Sequence, residues 1–386
     1  MLQDAIRGGR RYWTLVGFWG VLIVIGISAW GYQLSEGLHV TAMSQDITWG
    51  MYIAQLTFMV GIAASAVMVV LPYYLHDYKA FGKMVIIGES LAVSSVLMCM
   101  LFVFVDLGQP ARGANIILHP TPNSVMFWDM LVLSGYLFLN LVIGAVTFEA
   151  ERKGTPPPKW VKPLIYLSIP WAVSIHTVTA FLYSGLEART FWMTAILAPR
   201  FLASAFATGP SLLILLALIL RKFTTFDAGK QAIQKLAMIV AYAVAINLFF
   251  LLVELFTVMY SSMPHHTDGF RYMFFGIEGH NTLAPAMWVG QIIGLICLVA
   301  LWVPKVRANE KYLAALAVGV ILSLWLEKGV AMVVIGFIPA PLGQVSEYIP
   351  TLTEYLITLG VYSIGFLLLT IFYKIITTVR ERLGPA

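Results

Sequence analysis

Seven ionisable side chains stand within or at the ends of apolar runs: Glu89, Asp106, Asp129, His176, Glu254 and the adjacent Glu327 and Lys328. An ionisable group at the middle of a membrane costs at least ~2.5–3.5 kcal/mol on insertion scales, so it needs a partner or a task. Carboxylates and imidazoles take up and release protons, and burial tunes how readily they do so. Glu327 and Lys328 are consecutive, so on a helix their side chains diverge by about 100° and each can seek its own partner. Glu254 follows Leu251, Leu252 and Val253, precedes Leu255 and Phe256, and stands six residues before Tyr260. A lone carboxylate so placed suits a proton relay or a ligand contact. The other groups also have structural readings. Lys328 could neutralise a carboxylate on another helix, Asp106 could cap or pair with Arg112, Asp129 could be solvated at an interface, and His176 could be a hydrogen-bonded core residue.

The elements that must position these groups are membrane-spanning helices. Of 386 residues, 60% are hydrophobic and 11% charged, whereas soluble domains carry roughly 25% charged residues. Mean hydropathy is +0.84. Ten continuous apolar runs reach the ~20 residues that a span requires: 13–35, 49–75, 82–107, 124–149, 161–186, 199–221, 234–261, 282–304, 312–338 and 352–378. They do not alternate as barrel strands would. The first run, preceded by Arg7, Arg10 and Arg11, is too long for a cleaved leader and lacks a small-residue cleavage site, so it is read as a retained helix. The expected fold is therefore an all-α membrane protein.

Orientation follows from the basic residues. Nineteen of the 24 Lys and Arg lie at the two termini and in the even-numbered loops. Four, Arg112, Arg189, Arg200 and Arg271, lie in the odd-numbered loops, and Lys328 is intramembrane. The positive-inside rule then places both termini in the cytoplasm of a prokaryotic cell, with the longer loops, Leu107–Asn123, Glu187–Pro199 and Ser262–Asn281, on the periplasmic side of the inner membrane. Their Gly, Pro, Trp and His content suits either a docking surface or a self-packed cap. The net charge of +5 is dispersed, which gives no nucleic-acid patch. Cys99 and Cys297 are isolated in apolar runs. With no CxxC, CxxCH or ferredoxin spacing, the chain is expected to hold no haem, iron–sulfur cluster or other metal.

Buried acids, an imidazole and aromatics (Trp128, Tyr136, Tyr183, Trp192) toward one face are the ingredients of a quinone site. A quinone ring needs an apolar slot, hydrogen-bond donors for two oxygens, and groups that move two protons. At this point motifs add to composition. Phe104-Val-Asp106-Leu-Gly108-Gln-Pro110-Ala-Arg112 followed by Ser124-Val-Met-Phe-Trp128 resembles the D-x-G-x-P-x-R and S-x-M-x-W pattern of NrfD-like membrane subunits, the anchors of polysulfide reductase and its relatives. Ser174-Ile-His176-Thr-Val-Thr-Ala-Phe181, the run from Ile196 through Pro199 and Phe201, Glu254-Leu-Phe256-Thr-Val-Met-Tyr260-Ser261, Trp325-Leu-Glu327-Lys328 and Ile349-Pro350-Thr351 resemble the ten-helix branch of that family. Within the branch the likeness points to the DsrP-type subunits of DsrMKJOP complexes. The likeness covers the second to the tenth span.

The resemblance implies two four-helix bundles, 49–187 on the quinone side and 188–338, preceded by an N-terminal segment and first helix (1–48) and followed by the last helix and cytoplasmic C-terminus (339–386). It implies a subunit of a quinone oxidoreductase complex and not a stand-alone enzyme. Menaquinone would be the substrate-like cofactor. A periplasmic ferredoxin-like iron–sulfur subunit, a cytochrome c and further membrane or cytoplasmic redox subunits would be the partners. His176 and Asp106 become quinone-site candidates, with Glu254 as a third catalytic candidate. Trp128 and Tyr183 would flank the ring, Asp129 would line the site, and Arg112 would orient Asp106 or a docking loop. Glu89, Glu254, Glu327 and Lys328 would form a proton path, and sulfur metabolism would be the setting. Where some relatives carry a helix-2 His and an Asp after the helix-5 His, this chain has Ala63 and Phe181-Leu182. Two alternatives remain: a secondary transporter, expected to show matched broken helices in corresponding positions, and a passive anchor for partner subunits.

Overall fold

The computed structural model describes residues 8–383, except for the side chains of Pro264 and 381–383, so Arg7 and the side chain of Arg382 lie outside it. Among the described residues there are helices and loops and no strand beyond one isolated bridge between Ile277 and His280. Ten helices among these residues are long and apolar enough to cross a membrane. They are α1 (Arg10–Glu36), α2 (Met51–Leu75), α3 (Gly82–Asp106), α4 (Val125–Lys153), α5 (Val161–Ser184), α6 (Leu197–Phe223), α7 (Lys230–Tyr260), α8 (Ala284–Trp302), α9 (Glu310–Ile335) and α10 (Leu352–Leu383). Each falls on one of the expected apolar runs. In hydrocarbon every backbone group must bond within its own segment, so such a run has little choice but to be a helix.

Polar residues set the ends. Gly154 closes α4 at φ 64°, and the N–H groups of Gly154 and Thr155 donate to the carbonyls of Glu151 and Ala150, each at 3.0 Å. That is the left-handed stop that glycine favours. The α10 start carries Thr351-x-x-Glu354, a capping box. The Glu354 carboxylate accepts from Thr351 N–H at 2.9 Å, and Glu354 N–H lies 3.4 Å from Thr351 Oγ1. The same carboxylate accepts from Ala42 N–H at 2.9 Å and from the Tyr348 hydroxyl, which ties two loops to the cap.

Helix α2 is the centre of the assembly: Met51–Ala63 are all buried, and α2 touches α3, α5, α6, α9 and α10. Further contacts join α3 to α4 and α10, α4 to α5, α5 to α6, α6 to α7 and α9, and α8 to α7 and α9. Helix α1 packs chiefly on α10, where a Cβ on Gly26 would stand 2.5 Å from Gly360 Cα. Its remaining surface is apolar and exposed, including Phe18, Val21 and Val24, as suits contact with lipid.

Two helices depart from α geometry, and they meet. In α2 a 3₁₀ turn at Ala64–Ala66 lies where Gly209 of α6 approaches so closely that a Cβ would sit 2.6 Å from Ser65 Cβ. In α9 a π-helical stretch spans Trp325–Ala331. Trp325 Nε1 donates to Gln55 Oε1 of α2 at 2.8 Å, and Tyr362 of α10 donates to the same oxygen at 2.6 Å.

The two ends of the helix array differ. The end bearing the first and last described residues also carries the loops after α2, α4, α6 and α8. The other, here called the opposite end, is knitted by its loops. Trp192 is fully buried and donates to the Met332 carbonyl at 2.8 Å. Thr190 reaches the His265 carbonyl at 3.1 Å, Ser346 donates to Asp46 at 2.7 Å, and Thr282 N–H donates to Glu347 at 3.0 Å.

Candidate functional site

Three polar centres lie within the helices. The first is built by α5. His176, Thr179 and Tyr183 recur at helical spacing on one face, and all three are buried to 0% exposure. Thr179 Oγ1 stands 2.6 Å from Asp129 Oδ1 of α4. The Tyr183 hydroxyl shares a hydrogen bond with Thr57 of α2, and its ring is edged by Trp192 at 5.0 Å and Trp49 at 5.4 Å. Neither ring nitrogen of His176 has a hydrogen-bond partner among the described residues. A buried polar group left unpaired costs about 1–3 kcal/mol.

The second centre joins α6, α7, α8 and α9. The Arg200 guanidinium spans two carboxylates, with Nη1 on Glu254 and Nη2 2.9 Å from Glu327. Glu327 also accepts from Asn247 at 3.3 Å and from Gln291 at 3.0 Å. Lys328 turns away, as consecutive residues on a helix must. It donates to the Phe201 carbonyl at 3.3 Å, and its ammonium lies 4.3 Å from the centre of the Phe201 ring. That ring packs 6.0 Å from Tyr183, so Lys328 reaches the edge of the first centre. Two basic and two acidic side chains thus meet at this centre.

Glu89 of α3 forms the third. Its Oε2 accepts from Thr147 of α4 at 3.3 Å, while Oε1 is buried without a partner. It closes the inner end of a vestibule of about 730 Å³ at the terminal end of the array, where Lys83, Glu151, Asp227 and Arg380 also line the wall.

The sequence-level candidates separate accordingly. His176, Asp129 and Tyr183 stand together. Asp106 is at the end of α3, its Oδ1 buried and unpartnered. Arg112 is exposed, in a short 3₁₀ turn at Pro110–Ala114, and no ion pair joins it to Asp106 among the described residues. Trp128 is 46% exposed, its indole held by the Pro122 carbonyl at 2.7 Å, so it faces outward from the first centre. Glu254 and Glu327 are engaged by Arg200. Counting Arg200 among the loop residues needs correction: it lies in the first turn of α6, 8% exposed. The excess of basic residues at the terminal end is unaffected. Asn247 and Gln291 escaped the sequence reading. Their signal was present, since each is an isolated polar residue in an apolar run, and Asn247 precedes Glu254 by two helical turns. Cys99 and Cys297 are both free and buried. Among the described residues no three His, Cys, Asp or Glu side chains converge as metal ligands.

Ten apolar helices enclosing separate imidazole, ion-pair and carboxylate centres define a polytopic membrane protein. The chain belongs to the family described as "Polysulphide reductase, NrfD", whose model matches residues 39–333. It is 25% identical to a putative dimethyl sulfoxide reductase membrane subunit of Halobacterium salinarum, covering 92% of this chain and 88% of that one. It is 22% identical to a selenate reductase subunit of Mesobacillus selenatarsenatis, over 97% and 95%. With the Hdr-like menaquinol oxidoreductase integral membrane subunit of Archaeoglobus fulgidus it shares 21% identity over 96% and 95%.

Proposed function

We propose that this chain is the quinone-reactive membrane subunit of a multisubunit electron-transfer complex. The carrying observation is His176: a wholly buried imidazole with both nitrogens free, one turn from the Thr179–Asp129 pair. In this reading a quinone oxygen takes the missing hydrogen bond. Oxidation of a quinol releases two electrons and two protons. His176 and Asp129 receive protons, and the electrons pass to an iron–sulfur partner of the ferredoxin-like class docked at the opposite end; reduction runs the same steps backward. The menaquinol named in the Archaeoglobus relative supports menaquinone as the carrier. In this reading Tyr183 would flank the quinone ring from α5. Asp106 and Arg112 belong to the docking end, where Asp106 has an acceptor to spare.

The same reading assigns 49–187 to the redox half and 188–338 to a supporting half. The terminal end, with its basic loops, faces the cytoplasm of the inner membrane and the knitted loops face the periplasm. A cytochrome c and further redox subunits, a DsrP-like place in sulfur metabolism and proton translocation extend the proposal. For translocation the support is Glu89 at its vestibule. Glu254, Glu327 and Lys328 enter as a cluster completed by Arg200, and Lys328 is the member that touches the first centre. A transporter called for matched breaks in corresponding helices; the two irregular stretches here lie in α2 and α9, and that of α9 packs on the regular Met51–Ala63 part of α2.

The test is His176→Ala and His176→Gln in the assembled complex, read by quinol-dependent reduction of the partner. General acid–base groups contribute typically 10²–10⁴-fold, so a loss of about 10²-fold or more is expected with complex assembly intact. Full turnover in both variants would remove the assignment.

A further inference from the structure

Glu89 borders a second cavity besides the vestibule. A groove of about 170 Å³ runs between α3, α4 and α10, and apart from Glu89, Ser90 and Asn140 its lining is apolar. Leu141, on its wall, is 46% exposed on the lateral surface that lipid covers. Gly144 leaves the floor open beside the carboxylate: a Cβ there would stand 3.7 Å from Glu89 Oε2, with nothing else within 4 Å but Glu89 Cβ. Phe148 and Phe372 supply aromatic walls. Glu89 itself is 3% exposed and keeps one oxygen without a donor.

We propose that this groove is a second binding site for an isoprenoid quinol, with Glu89 accepting a hydrogen bond from a quinol hydroxyl. The ligand must be dissolved in the bilayer, because the groove opens laterally among apolar side chains. It must carry a hydrogen-bonding group at its head, because one carboxyl oxygen of Glu89 is buried without a partner. A phospholipid meets the first need and not the second: its acyl chains, the part of it that would lie in the groove, carry no polar group. Glu89 lies seven residues into α3, about 10 Å from the terminal end, whereas His176 lies eight residues before the far end of α5, about 12 Å from the opposite end. The two sites thus occupy different halves of the membrane. The vestibule behind Glu89 gives the groove site its own contact with water at the terminal end. The inference rests on the proposal that the chain handles quinol.

The experiment is a binding titration on the purified complex with a hydroxyquinoline N-oxide, a quinol mimic bearing an N–OH donor and an alkyl tail, followed by fluorescence quenching. Glu89→Leu and Gly144→Leu are each expected to lower the number of sites by one; the second plugs the groove and leaves the carboxylate in place. His176→Ala is expected to remove a different site, and His176→Ala with Gly144→Leu to remove both. Unchanged stoichiometry and affinity in Glu89→Leu and Gly144→Leu, with the complex still intact, would overturn the groove site while leaving the His176 reading standing. Loss in the groove variants with none in His176→Ala would do the reverse. Displacement of added phospholipid with no displacement of quinol would assign the groove to lipid and end the proposal.

Discussion

His176 and Arg200 show two ways a membrane interior carries polar groups. Arg200 satisfies Glu254 and Glu327 together, and Asn247 and Gln291 complete the set around Glu327. Such a cluster is closed, and its value appears when one member is removed. Arg200→Met leaves two carboxylates facing each other, and breaking a buried pair in this way costs about 3–5 kcal/mol. Thermal unfolding in detergent should show the loss, and Glu254→Gln should be milder because a hydrogen bond to the guanidinium survives. His176 is the open case. Its imidazole has no internal partner, so His176→Gln should leave stability nearly unchanged while quinol-dependent turnover falls. An equal loss of stability would mean that the imidazole is a core residue and no ligand contact.

At the scale of elements, close packing sets the positions of the functional helices. Gly209 lets α6 approach the 3₁₀ turn of α2, and the π-helical stretch of α9 lies against the same helix. Gly209→Val would push α6 off Ser65. Overpacking of this kind costs typically about 1–3 kcal/mol; a lowered melting temperature, together with weaker quinol turnover as Phe201 and Lys328 shift, is the expected reading. The loops at the opposite end depend on pH through Glu347. The hydrogen bonds from Thr282 hold its carboxyl below the usual range, with His280 adding to the effect. A depressed acid contributes while ionised, so its hold on the 280–283 turn is complete above the ordinary glutamate value of 4.5 and fades as pH falls below it. The protection factor at Thr282, its exchange relative to the intrinsic rate at each pH, should fall as the solution is acidified through that range, and Glu347→Gln should remove most of that dependence.

For the whole molecule the question of sidedness has a direct measurement. Ile117 is 67% exposed at the opposite end, and Lys159 is exposed at the terminal end. The two native cysteines are buried, so background labelling is low. An impermeant maleimide should modify Ile117→Cys in intact cells and Lys159→Cys only after permeabilisation. The reverse pattern would invert the orientation and with it the side on which an iron–sulfur partner docks.

Hydropathy alone determined the ten helices, because a polypeptide in hydrocarbon has one economical way to pair its backbone. It also singled out the groups that needed explanation, since an isolated charge in an apolar run is conspicuous wherever it folds. Sequence order could not say which of those groups meet. Arg200 finds Glu254 and Glu327 across 54 and 127 residues of chain, and Lys328 diverges from Glu327 toward Phe201, a choice made by helix rotation and the π-helical stretch. Trp128 and Tyr183 look equally aromatic in the sequence, yet packing turns one outward and buries the other. The tertiary structure decided which polar groups were consumed by internal pairs and which, among them His176, Glu89 and Asp106, were left with hydrogen-bonding capacity unfilled. Partnership depends on helix azimuth and distance, which no local pattern encodes.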